Sequence, residues 1–71
     1  MTADKLIINQ WLKLGPHKWK HSEGFIIARY WTVGVARVYY YSCFRDEDLY
    51  YKGINEKSFP TLRLAKSYFI T

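Results

Sequence analysis

The chain has 71 residues, 49% of them hydrophobic and 20% aromatic, which excludes intrinsic disorder and leaves room for one modest core in a single domain. Charged residues make up 24%, an ordinary water-exposed exterior, and large buried rings offset the small size. Eleven Lys and Arg against six Asp and Glu give a formal net charge of +5 and a pI near 9.5, which favours an anionic partner.

Residues 1–24 read as an N-terminal element followed by a basic connector. Over Thr2 to Leu14 the pattern fits two elements. As a helix, Thr2 or Asp4 caps the start, Ile7, Trp11 and Leu14 form a stripe, and Gly15-Pro16 ends it. As a strand, Leu6, Ile8, Leu12 and Leu14 face inward while Lys5, Asn9 and Lys13 face water. The end signals lean towards helix, and the β-branched pair Ile7-Ile8 towards strand. His17 to Glu23 follows as a polar connector, in which Lys18-Trp19-Lys20 alternates and can supply a fourth, edge strand.

Residues 25–54 read as a three-stranded antiparallel meander. Its strands are Phe25 to Trp31, Val35 to Phe44 and Leu49 to Ile54, with Thr32-Val33-Gly34 and Arg45-Asp46-Glu47-Asp48 as turns. Residues 58–70 then read as a helix, capped by Ser58 or Thr61, with Leu62, Ala65 and Phe69 on its apolar stripe. The expected fold class is α+β: a sheet of three strands, or four, with the C-terminal helix packed on one face and an N-terminal helix or strand.

A charged side chain marks the outward parity of each strand, because successive side chains alternate between faces. This places Arg29, Trp31, Arg37, Tyr39, Tyr41, Tyr50 and Lys52 on one outer face, aromatic and basic together. Phe25, Ile27, Val35 and Cys43 share that parity, so the N-terminal segment folding over the face is the competing expectation. The opposite parity, Ile26, Ala28, Tyr30, Ala36, Val38, Tyr40, Phe44, Leu49 and Tyr51, is expected in the core under the helix. Rings can stack on bases while Arg and Lys neutralise phosphates, and the same residue types dominate protein interfaces. Lys18, Trp19 and Lys20 form a secondary basic arm, or else a solvated loop anchored by Trp19.

No motif points to catalysis. Asp46, Glu47 and Asp48 are consecutive and diverge in an extended turn, Cys43 has no obvious base beside it in sequence, and the four glycines are isolated. His17 and His21 lack a third metal ligand and are separated by lysines, so neither a metal nor a cofactor is expected. Cys43 is the one cysteine, which suits a reducing compartment. No stretch approaches ~18 consecutive apolar residues, and Met1-Thr2-Ala3-Asp4 lacks the build of a signal peptide, so the expected location is the cytoplasm, that of the host if the gene is viral.

Strand, strand, strand, helix, with Lys52-Gly53-Ile54 followed by Phe59-Pro60-Thr61-Leu62 and Ala65-Lys66, is similar to plant AP2-type and integrase arm-binding domains over residues 25 to 70. That resemblance implies a sheet that enters the DNA major groove. The pattern equally resembles small proteins of tailed phages and mobile elements, which implies a host protein as partner. The expectation is a small non-catalytic module that binds nucleic acid through its sheet face. The alternative is a phage or mobile-element protein that binds and inhibits an acidic host protein, or pairs with its own copy, through the same patch.

Overall fold

The computed structural model describes residues 11–34 and 36–70; the caps and stripe positions expected within residues 2–10, and Val35, lie outside them. Among these described residues five strands and two helices follow in chain order: β1 (Trp11–Gly15), β2 (Lys18–His21), β3 (Ile26–Trp31), β4 (Tyr39–Phe44), α1 (Glu47–Lys52), β5 (Lys57–Phe59) and α2 (Leu62–Ile70). The strands form one antiparallel sheet in the order β1-β2-β3-β4-β5. The α+β class holds, but the sheet has five strands rather than three or four.

The end of the N-terminal element is strand β1, and Gly15-Pro16 makes the turn into β2 rather than a helix terminus. The alternating Lys18-Trp19-Lys20 is indeed a strand, paired on both sides, so it is not a free arm. β4 begins at Tyr39, later than the Val35 start expected.

The largest departure is Leu49 to Ile54, expected as a strand and helical as far as Lys52. The Asp46 carboxylate accepts from the Leu49 amide at 2.8 Å, which caps the first turn. Glu47 and Asp48 near the N-terminus and Lys52 in the last turn suit the helix dipole. Gly53, at φ +74°, closes the helix in the left-handed region, where a side chain is strained. The third strand of the expected meander is instead β5, three residues at the sheet edge, whose Ser58 hydroxyl meets that of Ser42 at 2.9 Å.

Both faces of the sheet are covered at one end. α2 lies over Trp19, Ile27 and Cys43, with Ala65 fully buried against them and Trp11, Tyr41, Phe59, Leu62, Tyr68 and Phe69 around the rim. α1 lies on the other face, where Tyr50 packs on Ile26, Ala28 and Phe44. The parity groups hold along β3 and β4 but not for Tyr50, which packs on the opposite face, and the assignment of the C-terminal helix is reversed: it covers the side that carries Arg29. The reason is that Arg29 sits beyond the covered end, so its charge does not mark the whole strand as outward. Thr61 starts α2, its hydroxyl accepting from the Leu64 amide at 3.3 Å. No helix among the described residues is long and apolar enough to cross a membrane.

Candidate functional site

Strand β2 stops pairing with β3 at Ala28, and β5 stops pairing with β4 at Tyr41. Beyond those points β3 and β4 continue as a two-stranded ribbon. Tyr30 pairs with Tyr40 and Trp31 with Tyr39, and the Thr32 amide donates to the Val38 carbonyl at 2.9 Å. Trp31 and Tyr39 occupy one face of the ribbon, with ring centroids 6.2 Å apart and planes at 68°. Each residue is 41% exposed. Tyr30 and Tyr40 occupy the opposite face, 5.7 Å apart. Tyr30 and Val38, expected in the core, are exposed, and Ala36 and Tyr51 are exposed too. Burial, then the neighbouring Tyr50 and Tyr40, raise the Tyr30 phenol above the ordinary tyrosine range.

Two arginines serve this ribbon differently. The Arg37 guanidinium carbon lies 5.9 Å from the Trp31 ring centroid and the side chain is exposed. Trp31, Thr32, Val33, Gly34 and Arg37 line a shallow recess at the tip. Arg29 is tied down: its Nη2 donates to the Pro16 carbonyl at 2.7 Å and its Nε to His17 Nδ1 at 3.1 Å. That fork anchors the β1–β2 turn beside the ribbon, and His17 in turn lies 5.0 Å from Trp31. The Arg29 guanidinium also stands over Trp19 and Tyr39, at 5.8 and 5.2 Å.

The remaining expected site residues sit elsewhere. Tyr41 is half-buried under the rim of α2, and its ring is 6.0 Å from Trp19. Tyr50 packs edge-on against Phe44 on the other face, and Lys52 pairs with Asp48 at 3.1 Å on α1. Neither joins Arg29 and Trp31, because the segment that carries them coils into a helix. Trp19 is a core residue, and Lys18 and Lys20 reach α1 instead: the Lys18 ammonium lies 4.3 Å from the Tyr50 ring centroid, and Lys20 pairs with Glu47 at 3.5 Å.

Charge is divided along the sheet. The described carboxylates are Glu23, Asp46, Glu47, Asp48 and Glu56, in or near the β2–β3 turn and the segment between β4 and β5, at the end opposite the ribbon. There Glu56 takes a bidentate pair from Arg45, at 2.9 and 3.0 Å, which raises the arginine and lowers the carboxyl from their usual ranges. Lys20, Arg45 and Lys52 are paired with carboxylates, whereas Arg29 and Arg37, like Lys13, Lys18, Lys57, Arg63 and Lys66, pair with none among the described residues. The sequence carries the signal: Gly24 to Arg45 contains no Asp or Glu.

His21 is buried, its Nδ1 accepting from the Glu23 amide at 3.1 Å with Trp11 edge-on to the ring. Cys43 is fully buried, its thiol facing the Ala65 carbonyl at 3.6 Å, and burial pushes it up to about 11. A thiol so placed is a packing group rather than a nucleophile. Compared with family models, curated proteins and solved structures, the chain matches none.

Proposed function

We propose that the protein is a non-catalytic module that binds nucleic acid at the ribbon end of its sheet. The observation that supports this reading is the division of charge: the exposed Trp31 and Tyr39 rings and the unpaired Arg37 and Arg29 lie where the described residues place no carboxylate. An anion approaching that end meets cations and flat rings without acidic repulsion. Arg37, Trp31 and Tyr39 make contact in this reading, and Arg29 holds the β1–β2 turn in place. Tyr41, Tyr50, Lys52 and the Lys18-Trp19-Lys20 strand fall outside the contact surface. The free buried thiol fits a cytoplasmic protein, in a host cytoplasm if the gene is viral.

The test is fluorescence anisotropy of labelled single- and double-stranded oligonucleotides, from low salt upwards. Binding that weakens steeply with salt and falls further in Arg37→Ala supports the reading; no binding to either form at low salt removes it.

One observation favours a second reading. Val33 and Val38 at the ribbon tip are 96% and 58% exposed, and apolar side chains there suit a protein partner, such as the host target of a phage or mobile-element protein, or a second copy of the chain. Such a contact responds little to salt, and self-association appears as a mass that rises with concentration in analytical ultracentrifugation.

A further inference from the structure

We infer that the ribbon takes unpaired bases, so that its ligand is single-stranded nucleic acid rather than duplex. This rests on the nucleic-acid reading above and narrows it. Duplex binding without sequence preference is carried by the number of phosphates neutralised. On the Trp31 face of the ribbon that number is small. Arg37 has its guanidinium free of any carboxylate partner among the described residues, while Arg29 already donates from Nε and Nη2 to His17 and Pro16.

Rings are the larger resource at this place. Trp31 and Tyr39 are cross-strand neighbours, each 41% exposed, and the planar Arg37 group stands 5.9 Å from the Trp31 centroid. A ring face gains most from a base whose own face is open. Bases in a duplex are stacked on their neighbours and show only their edges in the grooves. Unpaired bases stack on protein rings irrespective of sequence, which fits a surface where the described residues offer few directed donors. The occupied length is short, about two bases, one for each ring.

The test uses fluorescein-labelled dT12, the same strand with abasic sites throughout its centre, dT12 annealed to dA12, and U12, all at one low salt concentration. The expected order is dT12 or U12 well ahead of both the duplex and the abasic strand. At ~1–3 kcal/mol per stacked base, Trp31→Ala costs about 5- to 160-fold on the single strand. Tyr39→Ala gives an independent reading if Trp31→Ala does not fold. Duplex bound as tightly as dT12, or the abasic strand bound as tightly as the intact one, overturns the inference while nucleic-acid binding stands. Binding to none of the four overturns both.

Discussion

Arg29 on β3 and Arg37 in the connection from β3 to β4 share a chemistry, yet the structure gives them opposite duties. Arg29 joins strand β3 to the β1–β2 turn through two donated hydrogen bonds, and its planar fork makes both from one side chain. Lysine cannot reproduce that fork. Arg29→Lys is therefore expected to destabilise the fold by about 1 kcal/mol in urea denaturation, while Arg37→Ala stays within about 0.5 kcal/mol because its side chain is exposed. Equal stability losses in the two variants would contradict the division of roles.

Cys43 makes a separate prediction at the same scale. Burial favours its neutral thiol, so the folded value, about 11, lies above that of the unfolded chain. The folded state then holds a proton that the unfolded state loses first. The stability this contributes is full below the ordinary thiol range and declines as pH rises from there through about 11. In the native protein at pH 8, iodoacetamide is expected to modify Cys43 far more slowly than in the urea-unfolded chain, which mass spectrometry reads directly. Equal rates would mean that the thiol is open to solvent.

Among the elements, α1 shows how local signals compete. Leu49-Tyr50-Tyr51 has strand-like composition, yet Asp46 and Gly53 bracket it with a cap at each end. Those caps were legible in the sequence; the aromatic run concealed them. Asp46→Ala is expected to cost ~1 kcal/mol, measured by thermal unfolding, and Gly53→Ala a similar amount because its φ is positive. If the segment were a strand, Asp46→Ala would be nearly neutral.

The same comparison explains the reversed cover. Phe25-Ile26-Ile27-Ala28 is a continuous apolar run, the mark of a strand buried on both faces, and Ile26 and Ile27 are both fully buried. Within β3 and β4 alternation told correctly which residues share a face, and separated Tyr39 and Tyr41 from Tyr30 and Tyr40. It did not tell which helix lies on which face, because α1 was expected as a strand. β5 was illegible for another reason: three residues ending before Pro60 carry too little pattern to distinguish a strand from a loop.

Across the whole molecule, the sheet runs from a doubly covered, acid-bearing end to a bare ribbon with rings and arginines. Packing at the covered end supplies stability. Ile27→Ala is expected to cost ~2–5 kcal/mol there, whereas Trp31→Ala at the ribbon leaves the midpoint of unfolding close to the parent's. Trp31, Arg37 and Tyr39 were visible in the carboxylate-free sequence between Gly24 and Arg45 together with strand parity. The rest was not, because Tyr50 and Lys52 depended on a strand that coils and Arg29 on partners that alternation does not reveal.

The most direct test of this account is a titration of the 15N-labelled protein with dT12, followed by amide chemical shifts. Perturbations centred on Trp31, Thr32, Arg37 and Tyr39, with His17 beside them and the Asp46–Glu56 segment unchanged, are the predicted result. Shifts centred instead on α1 and the β2–β3 turn, or none at low salt, would contradict it.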